Sequence, residues 1–204
     1  MVKAAVLVSG DGTNLQAILD AKAEGHIPHG EIALVLSNRE NAYALERARL
    51  GGIPACVVKK EKGMDPNAYG ELLLEKLSEY HIEFIALAGF MTILPENFIR
   101  AFEGRIINVH PSLIPSFCGA GYYGLKVHEA ALAHGVKVTG ATVHYVNEIP
   151  DGGKIIAQKA VDVLPEDTPE TLQKRVMIQA EWQLLPKAVE DCCRALLIQR
   201  RAVV

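Results

Sequence analysis

The sequence predicts an α/β protein built on a mostly parallel, doubly wound sheet with an antiparallel hairpin towards its C-terminal end. Strand-like and helix-like segments alternate through the first half of the chain. The strand-like runs are apolar throughout, which is typical of parallel strands that helices cover on both faces. Near the C-terminal end, residues 148–153 separate two further strand-like runs. This connection is too short for a parallel crossover and indicates a hairpin.

Four strands and four helices are predicted in the first hundred residues. The strands are Val2–Val8, Ile32–Leu36, Ala55–Val58 and Ile82–Ala88. The helices are expected at about Leu15–Glu24, Ala42–Leu50, Asn67–Tyr80 and Pro95–Phe102. Two glycines, Gly51 and Gly52, form a typical stop signal after the second helix. Pro95 suits the beginning of the fourth helix, where its missing N–H has no helical partner.

The second half contributes three strands and two helical regions. The strands are Ile106–His110, Thr139–Val146 and Lys154–Val163, and the helical regions are Val127–His134 and Glu170–Ile198. Pro186 interrupts the last region, and its missing N–H predicts a bend or a division there. No repeat, linker or low-complexity segment separates the elements. Residues 1–204 are therefore expected to form a single domain.

Composition excludes several classes of function. The net charge is −3, and no basic run extends beyond residues 59–62, so nucleic acid is not expected as a partner. No apolar run reaches the ~20 residues that a membrane span requires, and the chain enters a strand too soon for a signal peptide. The cysteines, Cys56, Cys118, Cys192 and Cys193, have no CxxC spacing. We expect reduced thiols in a cytoplasmic protein without a metal site. The oligomeric state is left open.

Asn108 and His110 are the first candidate functional residues. Side chains alternate along a strand, so these two point to one face while Ile107 and Val109 point to the other. Pro111 cannot donate to a sheet ladder and should end the strand. Both polar side chains then lie at the carboxyl end of a buried strand, where open α/β sheets bind ligands. An amide beside an imidazole suits the polarisation of a carbonyl and the movement of a proton.

A glycine-rich turn, Gly10–Asn14, follows the first strand. Its glycines allow an anion to approach the backbone, and the next helix offers free N–H groups. The segment lacks the Lys-Ser/Thr pair of a Walker loop, and Leu15 replaces the third glycine of a dinucleotide fingerprint. These residues alone leave two interpretations open, which are a site for one phosphate and a tight turn between strand and helix.

Two other loops are candidates for the same crevice. Asp151-Gly152-Gly153 lies in the predicted hairpin loop, where such residues are common in turns. A carboxylate close to His110 would raise the pKa of the imidazole and make it an acid at neutral pH. The apolar loop 89–94 could line a pocket for a flat ring or simply cover the core.

Taken together, these motifs resemble the folate-dependent phosphoribosylglycinamide formyltransferases of purine synthesis. The resemblance rests on four blocks, which are Val8–Gln16, Leu87–Met91, Ile107–Leu113 and Asp151–Gly153. It implies the formyltransferase fold and a direct transfer from 10-formyltetrahydrofolate to the amine of 5-phosphoribosylglycinamide. The implied reaction requires neither a metal nor a covalent enzyme intermediate.

The resemblance also implies a role for each of three residue groups. Gly12, Thr13, Asn14 and Glu181 would bind the ribonucleotide. Asn108, His110 and Asp151 would form the catalytic set. Met91, Thr92, Ile93, Leu94, Asn108 and Asn147 would bind the folate. The helix before Glu181 is one residue longer than in the family pattern, and a family basic residue near the folate tail is replaced by Pro66.

Further departures and alternatives accompany the resemblance. Residues 117–124 differ from a common Tyr-Pro-Gly form, and their small residues indicate a mobile active-site loop. The other histidines, including His128 and His144, have no ligand spacing, and most are expected to be structural or on the surface. A formyltetrahydrofolate deformylase would share the Asn-His-Asp set, whereas a non-catalytic nucleotide-binding protein would use the glycine turn alone.

Overall fold

A computed structural model of the chain describes residues 1–202 and contains one seven-stranded sheet. The strands are β1 (Val2–Val8), β2 (Gly30–Ser37), β3 (Ala55–Val57), β4 (Phe84–Leu87), β5 (Ile106–His110), β6 (Val138–Tyr145) and β7 (Ile155–Asp162). Their order in the sheet is β3-β2-β1-β4-β5-β6-β7. Strands β1 to β5 pair in parallel, and β6 pairs antiparallel with both β5 and β7. The predicted fold class and C-terminal hairpin are confirmed.

Each predicted helical segment is present, with ends that differ by a few residues. The helices are α1 (Thr13–Ala23), α2 (Tyr43–Leu50), α3 (Pro66–Glu79), α4 (Glu96–Ala101), α5 (Leu125–His134), α6 (Pro169–Val176) and α7 (Trp182–Ala202). Within residues 1–202, no helix combines the length and the apolar character needed to cross a membrane.

Helices cover both faces of the sheet and create two apolar cores. Helices α1, α2, α5, α6 and α7 pack on one face, and α3 and α4 pack on the other. Strand β1 serves both cores, since Val6 and Val8 enter the first while Ala5 and Leu7 enter the second. Burial on both faces is the physical reason why this strand is apolar at every position except Lys3.

The predicted division of the last helical region at Pro186 is wrong, and a bend at this proline stays a prediction. Pro186 lies inside α7, and the α-helical pattern changes earlier, in a π-helical turn at Met177–Glu181. A π-turn contains a widened ring of backbone that accommodates an additional residue. The interruption of the α-helix therefore lies in the turn directly before α7 and not at the proline.

The strand order reverses between β1 and β4. The chain proceeds from β1 to β2 on one side, whereas β4 and β5 continue on the other side. This arrangement opens a crevice at the carboxyl ends of the strands. The loops after β1 and β4 meet there, and the N–H of Met91 donates to the Ser9 hydroxyl at 2.7 Å.

Candidate active site

His110 lies at the end of β5 with both ring nitrogens close to polar groups. Its Nε2 is 2.8 Å from the carbonyl oxygen of Phe117, and its Nδ1 is 3.5 Å from Oδ2 of Asp151. A carbonyl can only accept a hydrogen bond, so Nε2 is the donor. Ile107 and Val109 enter the core on the opposite face, as the alternation of the strand predicts.

Asp151 is held by groups from three segments of the chain. Its Oδ2 accepts from the Gly119 N–H at 2.8 Å, and its Oδ1 is 3.5 Å from Nε2 of His144. Burial raises the pKa of Asp151, but the contacts of its carboxylate with His144, the Gly119 N–H and His110 together hold it below its usual range. Asp151 is therefore an anion at neutral pH.

The glycine at position 153 is required by the path of the hairpin loop. A Cβ at this position would lie 1.7 Å from the carbonyl oxygen of Tyr145. Asp151 itself has a φ of 56°, a left-handed conformation that aspartate tolerates better than most residues. The Asp-Gly-Gly motif thus allows the loop to bring its carboxylate back to the end of β5.

His144 is a site residue that the sequence analysis missed. It pairs directly with Asn108 across the β5–β6 ladder. Nδ2 of Asn108 lies 3.3 Å from Nε2 of His144, and Nδ1 of His144 donates to the Tyr145 carbonyl at 2.8 Å. The signal was present, because residues opposite each other in antiparallel strands share a face. The strand pairing and register were needed to use it.

Burial reverses the expected pKa of His110. Desolvation lowers the pKa of this imidazole, and the Asp151 charge and the Phe117 hydrogen bond, which both raise it, offset that effect only in part. The direction of the Asp151 contribution is as expected, but the expectation of a net raised pKa is wrong. At neutral pH, unliganded His110 is mainly neutral and can accept a proton.

The glycine-rich turn is followed by the N-terminus of α1. Gly12 has a φ of 72°, and a Cβ there would lie 2.6 Å from the Cβ of Ala44, so the turn requires glycine. Asn14 follows in the first turn of the helix, and its amide donates to Oε2 of Glu181 at 2.7 Å. The Asn14 Oδ1 atom is buried and has no hydrogen-bond partner among residues 1–202.

Glu181 ends the π-turn and is buried against α1. Desolvation raises the pKa of its carboxyl to about 7, although the hydrogen bond from Asn14 opposes that shift. The resemblance implies one additional residue before Glu181, and the π-turn at Met177–Glu181 is a place where a helix can contain such a residue. Glu181 consequently faces Asn14.

Residues 2–189 match the family model described as formyl transferase. The chain belongs to the formyl transferase family. It is 39% identical over 98% of its length to the chloroplastic phosphoribosylglycinamide formyltransferase of Vigna unguiculata, of which it spans 63%. It is 40% identical over 92% of its length to the Haemophilus influenzae phosphoribosylglycinamide formyltransferase, of which it spans 86%. The crystal structure of glycinamide ribonucleotide transformylase 1 from Symbiobacterium toebii superimposes with a TM-score of 0.89 at 42% identity, covering 96% of this chain and 89% of that one.

A cavity of about 550 Å³ in this formyl transferase brings most of the predicted site residues together. Its lining includes Asn14, Met91, Thr92, Ile93, Leu94, Asn108, His110, Asn147, Asp151 and Glu181, together with His144. Thr13 instead lines a cavity of about 660 Å³ between α1 and α7. Neither lining includes Gly12. The larger cavity contains none of Asn108, His110 and Asp151, so the smaller one is the candidate active site.

The polar side chains around His110 suit proton transfer. Residues 1–202 contain no group of three or more His, Cys, Asp or Glu side chains placed to hold a metal ion. The four cysteines are free thiols. The polar side chains next to His110 are the Asn108 amide, the His144 imidazole and the Asp151 carboxylate, a set suited to proton transfer.

Proposed function

We propose that this formyl transferase moves the formyl group of 10-formyltetrahydrofolate to the amine of 5-phosphoribosylglycinamide. One observation carries the proposal, namely that a single cavity contains two groups of polar side chains. One group is Asn14, in the first turn of α1, with its partner Glu181. The other is Asn108, His110 and Asp151. The first region suits a phosphorylated sugar, because a helix N-terminus favours anions. The second region suits the chemistry of formyl transfer. The names of the relatives support the same activity.

In the proposed reaction, the amine attacks the formyl carbon and places negative charge on the formyl oxygen. Asn108 stabilises that charge with its Nδ2 donor. Neutral His110 accepts a proton of the amine at Nδ1, where the charge of Asp151 stabilises the resulting imidazolium. His110 then donates this proton, directly or through a water, to the folate nitrogen as its bond to the formyl carbon breaks. The formyl amide and tetrahydrofolate leave with all protons accounted for.

The same proposal assigns binding roles to the remaining residues. Gly12, Thr13, Asn14 and Glu181 bind the ribonucleotide, and Met91–Leu94 with Asn108 and Asn147 bind the folate. Support for the folate region comes from two contacts that tie its loop to neighbouring segments, Ser9 to Met91 and Asn38 to Thr92 at 2.6 Å. The loop is therefore positioned by hydrogen bonds, while Ile93 is 78% exposed and available to a ligand.

We also propose that the chain acts as one formyltransferase domain in the cytoplasm, on small molecules and without nucleic acid or membrane partners. The continuous seven-stranded sheet supports the single domain. The four free thiols support a reducing compartment. The chain spans only 63% and 65% of the two chloroplastic plant relatives, so their additional segments have no counterpart in these 204 residues.

The activity is tested by measuring formyl release from 10-formyltetrahydrofolate with and without 5-phosphoribosylglycinamide. The transferase requires the ribonucleotide, whereas a deformylase releases formate equally fast without it. His110→Ala should lower the ribonucleotide-dependent rate by roughly a hundredfold to a thousandfold, with both substrates still bound. A ribonucleotide-independent rate, or near-normal turnover by folded His110→Ala, would contradict the proposal.

A further inference from the structure

Phe117 combines an unusual backbone conformation with a contact to His110. Its φ is 50°, in the left-handed region that bulky residues rarely adopt. Such a conformation is energetically unfavourable and persists where surrounding contacts impose it. The carbonyl oxygen of this residue accepts the hydrogen bond from Nε2 of His110 at 2.8 Å.

The aromatic ring of Phe117 supplies contacts that hold the backbone in place. The ring packs against the apolar core on the face of the sheet that carries α1, α2, α5, α6 and α7. It also meets the rings of His134 and Tyr122 edge to face, with centroids 5.9 Å and 6.3 Å away. Aromatic pairs of this geometry stabilise the folded state beyond the effect of burial and so help to offset the conformational cost.

The segment after Phe117 fixes the partner of His110. Two residues later, the Gly119 N–H donates to Oδ2 of Asp151, the oxygen that lies 3.5 Å from Nδ1 of His110. Residues 117–119, here termed the 117–119 strap, thus contact both members of the pair through backbone atoms alone. No side-chain motif encodes these contacts, which explains why the sequence does not reveal them.

We propose that Phe117 is a positioning residue that determines which nitrogen of His110 exchanges protons. Its carbonyl oxygen lies 2.8 Å from Nε2, whereas the Asp151 carboxylate lies 3.5 Å from Nδ1, so the shorter contact favours the neutral tautomer with its proton on Nε2. Proton gain and loss are then confined to Nδ1, the nitrogen that faces Asp151. This inference rests on the proposed role of His110 in formyl transfer, but its main prediction concerns the free enzyme.

Other charged or titratable groups also act on the imidazole and must be separated from the strap. Asp151 faces Nδ1 from the loop after β6, His144 acts from β6 itself, and His128 acts from α5. None of the three provides an acceptor for Nε2 in the hydrogen bonds of residues 1–202. The tautomer therefore depends on two acceptors, the Phe117 carbonyl at Nε2 and the Asp151 carboxylate at Nδ1, and a change at Phe117 alters only the first of them. The pKa of His110 depends on all of these groups.

The test is a nitrogen-15 NMR measurement of the histidine ring in the intact enzyme without substrates. In the wild type, neutral His110 should carry its proton on Nε2. Phe117→Gly permits the same φ but removes the ring, so the signal should shift towards a mixture of both neutral tautomers. Phe117→Tyr retains the ring and should restore the wild-type spectrum. Ser116→Gly introduces the same backbone freedom one residue earlier and is expected to leave the tautomer unchanged.

Kinetics provide the second readout. Phe117→Gly should lower kcat by about tenfold to a hundredfold with little change in KM, because a misplaced catalytic group affects the chemical step more than binding. A neutral His110 protonated at Nδ1 in the wild type would overturn the proposal, and so would an unchanged tautomer in folded Phe117→Gly. Should Phe117→Gly fail to fold, the wild-type spectrum and Phe117→Leu decide in its place. If the tautomers are as expected but the enzyme transfers no formyl group, the proposed function is wrong and the role of Phe117 still holds.

Discussion

At the scale of single residues, the candidate site is governed by the cost of burying charge. His110 is 4% exposed, and desolvation outweighs the attraction of its one anionic neighbour. Such an imidazole is neutral before the reaction. When it accepts a proton during the reaction, the charge of Asp151 stabilises the imidazolium. A residue whose pKa is lowered in this way is a better proton acceptor at the start of catalysis than a permanently charged one would be.

Replacing Asp151 tests this balance. An anion raises the pKa of a neighbouring histidine, so Asp151→Asn should lower the already depressed pKa of His110 further. The NMR titration of His110 measures that change. Asp162→Asn removes the same charge from an exposed position on β7 and serves as the control. An unchanged or raised pKa of His110 in Asp151→Asn would remove Asp151 from the catalytic group.

Glu181 gives a second prediction, in which pH acts on the stability of the fold. Its pKa is raised to about 7 from an ordinary value of 4.5. The folded state therefore retains a proton that the unfolded chain releases, and stability is lost as pH rises from about 4.5 to 7. Over the full range this loss amounts to about 3 kcal/mol. Glu181→Gln cannot ionise and should avoid it.

Urea unfolding of wild type and Glu181→Gln at pH 5 and pH 8 measures the difference. The variant should gain stability relative to the wild type at the higher pH, while contributions from all other titrating groups cancel. Equal differences at both pH values would show that Glu181 is ionised in the folded protein throughout.

Sequence analysis identified Asn108, His110, Asp151 and Glu181 because each lies in or beside a recognisable motif, and the structure places all four on one cavity. It missed His144, which has no motif of its own and enters the site through the register of β6 against β5. It also assigned His110 the wrong net pKa shift. Charge neighbours can be proposed from sequence, but the extent of burial depends on every element packed around the group.

At the scale of elements, the helical region that ends the chain shows how an additional residue is accommodated. Apolar residues on α6 and α7, such as Leu172, Val176 and Leu185, enter the same core on either side of the π-turn. Each residue added to a regular helix rotates the following segment by about 100°. The π-turn absorbs one residue and keeps both apolar faces directed at the core.

Deleting Ile178 from the π-turn is expected to be tolerated. This side chain is 44% exposed, and the deletion should convert the turn to regular α-helix while Glu181 continues to face Asn14. We expect the free energy of unfolding to change by less than about 1 kcal/mol, the usual range for exposed positions. Deleting exposed Lys187 from α7 is the matched control, since it rotates Ala188 and Val189 away from the core and should cost several kcal/mol. Equal losses in the two variants would contradict this account.

Strands and helices were predictable because their signals are local. Continuous apolar runs identified the strands, and glycine or proline marked several helix ends. The π-turn could not be predicted from periodicity, because its cause is the position that Glu181 must occupy against α1, 167 residues away in sequence. Pro186 attracted the prediction instead, since proline is the stronger local signal.

At the scale of the whole molecule, the cavity exists because the sheet assembles loops that are distant in sequence. The loops after β1, β4 and β5 meet at the reversal of strand order, and the β6–β7 loop folds back over them. The π-turn that ends at Glu181 forms another wall of the cavity. Ligand regions at the two ends of such a cavity share a scaffold but few side chains, so they should be separable by mutation.

Thermal unfolding with each ligand alone tests this separation. A ligand at a hundred times its Kd stabilises a protein by about 2.7 kcal/mol, which for a chain of this size raises Tm by roughly 5–10 °C. Asn14→Ala should lose the shift caused by 5-phosphoribosylglycinamide and retain the shift caused by a folate analogue. Met91→Ala, a substitution in the folate region that does not touch Asn14, should show the reverse. If each variant instead loses both shifts, the two ligands occupy one undivided region, and the assignment of the α1 end to the ribonucleotide is wrong.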